Sequence, residues 1–389
     1  MTLRIIAAFL IVDFNDPQMW EFGMIARNML NGEGFAFLAL TKNVPSAFMP
    51  PGLPMLYYSI FKFFGDNYTG YLVILLINTL LSVISVILSY IFAKEFFNKN
   101  TAVLTSIYVC CSPILIFSSV NFNSIIIYQV LLLLVFIILN RINTRDLGKG
   151  LREGTILRSI IILGIALGLF LYFRAESLFF VLAFFLYFVF KKHFKNAFLI
   201  IIISAIMISP WTLRNYITFD KFIPVTSSFG YNFYTGHGDD SSTLVYKEKI
   251  GEISEDRFFE INQSEMAFKL AMEYINAHPA EELRESLNKI YSLWIIDIYR
   301  DSAKEPVYLI IWIPTLILFF LGTFFIIRNK SRSKSIASVY IYLLFSTLLT
   351  VVFFNIPRYQ IQMSIVIIPI SMYGLTELYN YFKTQNNSQ

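Results

Sequence analysis

Three arginines and a short run of acids carry most of the chemistry this sequence can offer. Arg174, Arg214 and Arg358 stand at the ends of long apolar runs, in turns otherwise nearly free of positive charge. A guanidinium is a planar fork that can hold two phosphate oxygens at once, so arginines placed this way suit an anionic ligand. The competing reading is that they snorkel to lipid headgroups, as arginines at span ends often do. Asp13, Asp16 and Glu21 fall within DFNDPQMWEFGMIARNMLNGEGF (13–35). A carboxylate here can take a proton from a hydroxyl or simply cap a helix. Asp16 followed by Pro17 reads as a capping side chain with proline at the first helical position, and Asn31-Gly32 reads as the helix end. Glu21, between Trp20 and Phe22, is costly in apolar surroundings unless it faces a wet cavity. Downstream, SFGYNFYTGHGDD holds Gly230, Asn232, Gly236 and Gly238 and reads as a flexible glycine-rich loop. His237, Asp239 and Asp240 sit close together in it, but without the spacing of a metal motif, so no metal is expected.

These residues are set in a chain that cannot be water-soluble. Of its 389 residues 56% are hydrophobic and 15% charged, and the mean hydropathy is +0.62. Soluble domains carry about 25% charge, and here there are too few polar side chains to cover a surface. Disorder is excluded on the same ground. The adjacent Cys110 and Cys111 exclude a disulfide scaffold. The chain therefore reads as an all-α integral membrane protein.

Apolar stretches of membrane-spanning character lie at 68–93, 102–118, 123–140, 157–173, 177–190, 196–212, 306–327, 336–354 and 361–380, with a shorter one at 3–12. The short segments 94–100, 141–158, 191–195 and 328–334 hold 2, 5, 3 and 4 basic residues, against 0, 1 and 1 in 119–122, 174–176 and 355–360. The positive-inside rule makes the first set cytoplasmic, which places both termini inside and requires ten spans. The net charge of +5 follows these cytoplasmic turns, so nucleic acid is not an expected partner. The predicted organisation is a membrane module over 1–212 with an extracytoplasmic loop at 13–67, an extracytoplasmic region at 213–305, and closing helices over 306–389. Within 256–300, helical spacing interrupted by His278-Pro279 predicts two helices. Pro50, Pro51 and Pro54 predict an extended turn opening a helix in the first loop.

Taken in order, three features resemble one family. They are an acid just after the first span, a helix of the form A-x-x-M-x-x-G-x-G-F, and P-P-x-x-P opening the next helix. SPWTLRNYITFDKFIPVTSSFGYNFYTGHG (209–238), the Arg174/Glu176 pair and PRYQ (357–360) continue the pattern. This is similar to the lipid-dependent polytopic glycosyltransferases of the GT-C fold, which include the protein O-mannosyltransferases and the aminoarabinose transferase of lipid A.

The resemblance implies an enzyme that moves a sugar from a polyprenyl-phosphate donor to a lipid, glycan or protein acceptor. The reaction would occur at the outer face of a bacterial inner membrane and require no cofactor. It further implies a carboxylate to align or deprotonate the acceptor, with Asp16 ranked first, Glu21 second and Asp13 third. Arg174, Arg214 and Arg358 would hold the donor phosphate, and Asn215, Gly230, Asn232 and Gly236 would belong to a substrate loop over the cavity. Glu176 could orient Arg174 only where the helix has unwound, since residues two apart on a helix do not face each other. The alternative is a lipid or glycan flippase without chemistry. A flippase usually places polar groups along a midplane path, whereas here the mid-span stretches are almost free of charge.

Overall fold

The computed structural model describes residues 1–147, 153–238, 240–299 and 304–386. The chain opens with α1 (Thr2–Ile11). The first loop then folds as α2 (Trp20–Leu30), a hairpin of β1 (Ala36–Leu38) and β2 (Asn43–Pro45), and α3 (Gly52–Phe64). There follow α4 (Tyr68–Phe96), α5 (Lys99–Cys111), α6 (Pro113–Ser119), α7 (Ile125–Leu147), α8 (Glu153–Phe173), α9 (Ser177–Phe190) and α10 (Phe194–Phe219). A layer of shorter helices comes next, α11 (Phe229–Thr235), α12 (Asp240–Ile250), α13 (Phe259–Ala277) and α14 (Pro279–Trp294). Then come α15 (Pro306–Arg328), α16 (Lys330–Val352) and α17 (Pro357–Asn386).

All ten apolar segments read from the sequence are helical over most of their length. Length and hydropathy qualify seven of them to cross a membrane, namely α4, α7, α8, α10, α15, α16 and α17. An eighth is added if α5 and α6 are one span bent by 58°. With 10 and 14 residues, α1 and α9 are shorter than the ~20 residues a crossing needs.

The bend between α5 and α6 has an identifiable cause. Pro113 lacks the N–H that would bond Val109 O, and its ring cannot follow a continuous helix. Arg4, 1% exposed, reaches across from α1 and supplies the missing donors. Its Nη2 donates to Val109 O and its Nη1 to Cys110 O, both at 3.1 Å, while Nε donates to Ser82 Oγ at 2.5 Å. A carbonyl left bare in an apolar bundle would cost several kcal/mol, by order of magnitude. A guanidinium at a helix C-terminus also meets the negative end of the macrodipole.

Elsewhere the bundle packs through small residues and rings. Helices α15 and α17 cross so closely that a Cβ on Gly322 would lie 2.2 Å from Ile370 O, and one on Gly374 2.5 Å from Leu318 O. Among α7, α8, α9 and α16, Tyr128 packs on Phe170 at 4.7 Å and Phe180 on Tyr342 at 4.9 Å, forming a buried aromatic floor.

The shorter helices are fastened to the first loop by carboxylates. Glu255 closes the β1–β2 turn, accepting from the N–H of Leu40, Thr41 and Lys42 at 3.0, 2.7 and 3.2 Å and from Thr41 Oγ1 at 2.7 Å. These donors, Thr41 foremost, hold its carboxyl down at about 2. Glu260, buried at the start of α13, accepts from Ala47 N at 2.9 Å and Ser227 Oγ at 2.8 Å. Burial pushes its pKa up.

Candidate active site

A cavity of about 680 Å³ opens where α6, α8 and α16 end and α7, α9 and α17 begin. These are the helix ends opposite the lysine-rich turns. It is roofed by α2, the 48–50 turn and α11.

Arg174 stands in its wall because the chain unwinds there. Helix α8 ends at Phe173 and α9 begins at Ser177, leaving Arg174, Ala175 and Glu176 outside both. The proviso on Glu176 is thereby met: Arg174 Nε donates to Glu176 Oε1 at 2.6 Å. The Arg174 guanidinium also reaches Ser124 Oγ at 3.4 Å and lies 5.8 and 5.9 Å from the ring centroids of Tyr128 and Tyr359.

Arg358, second residue of α17, lines the same cavity. Protein surrounds it, yet its side chain is open to the cavity, and it makes no hydrogen bond or ion pair with the described residues. It feels the charges of Arg174, Glu176 and Glu21. Glu21, half-buried in the first turn of α2, is likewise without a hydrogen bond or ion pair among the described residues, and it too lines the cavity. Trp20 beside it takes a left-handed backbone, φ +53°, and leaves its indole 65% exposed at the cavity edge.

The structure brings Glu21, Arg174, Arg358 and Asn232 together and puts the other candidates elsewhere. Asp16 is exposed, accepts from Gln18 Nε2 at 3.4 Å and is not part of the wall. It does not cap the helix either. Helix α2 begins at Trp20 with Met19 as cap, so the 13–19 segment runs on as irregular chain; Asp13 bonds the Asn15 N–H there at 2.9 Å. The predicted end at Asn31-Gly32 holds, with Gly32 at φ +86°.

Arg214 is turned to the first loop. Its Nη1 donates to Ser46 O at 2.6 Å and its Nη2 to Phe35 O at 3.0 Å, with its Cζ 5.0 Å from the Trp211 ring centroid. Asn215, wholly buried, donates to Ile223 O at 3.1 Å.

The glycine-rich stretch is not a flexible loop; most of it is helix α11. Gly230 is needed for close approach, since a Cβ would lie 1.9 Å from Ser264 O, and a Cβ on Gly236 would lie 1.6 Å from Phe353 O. Both glycines press α11 against its neighbours, which holds Asn232, Ser228 and Thr226 at the cavity. Asp239 lies outside the described residues. His237 is engaged with Glu282 Oε1 and Val352 O, each at 2.7 Å. No group of three metal-ligating side chains occurs among the described residues.

Sequence reasoning missed the polar end of α6 and the turn that follows it, where Ser118, Asn121 and Asn123 line the cavity. Its signal was the N-x-N of VNFNS between two apolar runs.

The family model and the oligosaccharyltransferase structures agree with this architecture. Residues 48–213 match the family model of dolichyl-phosphate-mannose-protein mannosyltransferase. The whole chain superposes on the archaeal oligosaccharyltransferase AglB from Archaeoglobus fulgidus, a structure in complex with an inhibitory peptide and a dolichol-phosphate. The TM-score is 0.60 at 11% identity, covering 100% of this chain and 51% of that one. The apo form of the Archaeoglobus fulgidus oligosaccharyltransferase gives 0.55 at 12%, covering 100% and 52%. ArnT from Cupriavidus metallidurans bound to undecaprenyl phosphate gives 0.46 at 11%, covering 96% and 76%. No curated protein matches the sequence. The fold is that of the GT-C membrane glycosyltransferases, as the sequence motifs implied. The chain spans about half the length of the oligosaccharyltransferases it matches.

Proposed function

We propose that the protein is an inverting glycosyltransferase that moves one sugar from a polyprenyl-phosphate donor to a hydroxyl on a lipid, glycan or protein. One observation carries this reading. Glu21 and Arg358 face a single cavity, and neither makes a hydrogen bond or ion pair with the described residues. A carboxylate and a guanidinium left unengaged on one cavity suit a ligand that supplies both a proton and an anion. The match to a family named for a dolichyl-phosphate-linked donor supports the same chemistry.

In this mechanism the acceptor oxygen attacks the anomeric carbon while its proton passes to a Glu21 carboxylate oxygen. The bond from that carbon to the phosphate oxygen breaks, and its electron pair stays on the phosphate. Arg358, with Arg174 oriented by Glu176, offsets the charge that develops there. Asn121, Asn123, Ser228 and Asn232 provide amide and hydroxyl groups for sugar hydroxyls. The scheme invokes no cofactor. Arg214 and Asn215 act as a clasp holding the first loop over the cavity, and Asp16 stands outside the chemistry. The basic turns support a cavity on the extracytoplasmic side of a bacterial inner membrane, with α1 and α9 completing ten membrane segments.

The test is incubation of the purified protein with a panel of labelled polyprenyl-phosphate sugars and hydroxyl acceptors, alongside Glu21→Gln. Sugar leaving a donor with wild type but not with the variant is the expected result. Donor consumption equal in both would remove Glu21 from the mechanism.

A further inference from the structure

Beside the cavity lies a narrower recess of about 50 Å³, enclosed by α7, α9, α16 and α17. Glu176 and Tyr359 belong to the walls of both spaces, so the recess adjoins the cavity at the residue that orients Arg174. Tyr128, Phe180, Tyr342 and Phe353 give it aromatic sides. Tyr128 and Tyr342, no more than 2% exposed, join their hydroxyls at 2.9 Å.

Into this aromatic recess the chain places a polar side chain that bonds no described residue. Gln362 is 3% exposed, it lines the recess, and its Nε2 has no hydrogen-bond partner among the described residues. A buried amide N–H left unsatisfied costs about 1–3 kcal/mol, and packing alone would be served better by an apolar side chain. Glu176 has its Oε1 engaged by Arg174, and its Oε2 makes no hydrogen bond with the described residues. Gln362 Nε2 thus offers a donor and Glu176 Oε2 an acceptor, beside the Ser346 hydroxyl that lines the same recess, around a space much too small for a sugar ring. Each buried water needs about 10–15 Å³ of such space, so the recess accepts a few atoms only.

We propose that the recess is a specificity subsite for the exocyclic hydroxymethyl arm of a hexose donor. The arm's oxygen accepts from Gln362 Nε2, its proton faces Glu176, and its carbon lies against the aromatic rings. This rests on the reading of Arg174 and Arg358 as the donor-phosphate site. In a sugar phosphate, the carbon bearing that arm is joined to the anomeric carbon through the ring oxygen. With the phosphate on Arg174, the arm is thus only a few bonds from Glu176, where the two spaces adjoin.

Binding of short donor analogues to the full-length protein in detergent tests this. The probes are farnesyl phosphate, farnesyl-phospho-mannose, farnesyl-phospho-glucose and the 6-deoxy form of each sugar. The expected result is that at least one hexose probe binds about tenfold or more tighter than its 6-deoxy counterpart, the scale of one well-made hydrogen bond to a buried group. Gln362→Leu should bring that ratio close to one. Equal affinity of each hexose and its 6-deoxy form in wild type overturns the subsite, whether or not the variant folds. So does a ratio that survives Gln362→Leu. Farnesyl phosphate binding in these cases leaves the phosphate site standing. Failure of farnesyl phosphate itself to bind removes both readings.

Discussion

Arg174 and Glu176 are joined at 2.6 Å across a three-residue break between two apolar helices. Arg358 shares their cavity but bonds neither of them nor any other described residue. The two arginines should therefore respond differently to truncation. Arg174→Ala strips the cation from Glu176, whose side chain is 27% exposed, and should cost stability toward the low end of the roughly 3–5 kcal/mol for breaking one side of a buried pair. Arg358→Ala removes no hydrogen bond or ion pair with a described residue and should leave the unfolding midpoint almost unmoved. It should weaken farnesyl phosphate binding by about 1.5–3 kcal/mol, the range for a bond to a charged group. Thermal unfolding and phosphate binding of both variants check this, and equal destabilisation by the two would contradict it.

The first loop offers two acids for one catalytic role, and the cavity separates them. Glu21→Gln should keep its fold and lose about 10²–10⁴-fold in turnover, the usual range for a general base. Asp16→Asn should turn over normally, because Asp16 is exposed and bonds only Gln18 among the described residues. Turnover of the same labelled donor by both variants decides between them. An inactive, folded Asp16→Asn would return the role to the residue that the sequence ranked first.

Much of this architecture was legible from hydropathy alone, because a bilayer demands long apolar helices, and seven of the ten apolar segments form helices long enough to cross, or eight with α5 and α6 as one bent span. The break at Pro279 and the α2 end at Gly32 were legible from turn chemistry for the same local reasons. The start of α2 was not. Asp16-Pro17 carries a sound capping signal, but Met19, 2% exposed, and Phe22, 7% exposed, pack into the core, and tertiary contact set the boundary there. The glycines were misread because a glycine chosen for close approach looks the same in sequence as one chosen for flexibility. Only the carbonyls of Ser264 and Phe353 reveal which it is. Arg214 shows the limit of motif reading, since its segment carries the family likeness but its guanidinium serves the backbone of residues 35 and 46.

The Arg4 contact predicts a coupled pair of mutants. Arg4→Ala should cost about 2–4 kcal/mol, because it bares the Val109 and Cys110 carbonyls in an apolar bundle. Pro113→Ala restores an N–H that can bond Val109 O within a straighter helix. Placed in the Arg4→Ala background, it should recover part of the loss, whereas in wild type it should gain little. A double-mutant cycle on thermal stability measures the coupling, and strict additivity would show that Arg4 does not serve the break.

Glu255 gives a pH dependence with a defined sign. Its folded-state pKa of about 2 lies below the ordinary 4.5, so the ionised form is the one that binds the hairpin turn. The contact is complete above pH ~4.5 and is lost as pH falls through about 2. Amide exchange at Thr41, the nearest backbone donor at 2.7 Å, should accelerate over that window beyond the intrinsic pH effect on exchange. In Glu255→Gln the window should vanish, because no group remains there to titrate.

Trp20 carries the last prediction, and it runs against the habit of treating a tryptophan as stabilising. Its φ of +53° is a left-handed backbone that costs a side-chain-bearing residue roughly 1–2 kcal/mol. The indole, 65% exposed, recovers little by burial. Trp20→Gly removes the steric penalty, although glycine loses more chain entropy on folding, so the net gain should be no more than about 1 kcal/mol. Trp20→Ala keeps the penalty and should be neutral to destabilising. If the exposed ring serves the substrate at the cavity edge, both variants should lose donor affinity while only glycine gains stability. Unfolding midpoints and donor binding for the pair separate backbone from side chain, and a destabilised Trp20→Gly would mean that the indole anchors the start of α2.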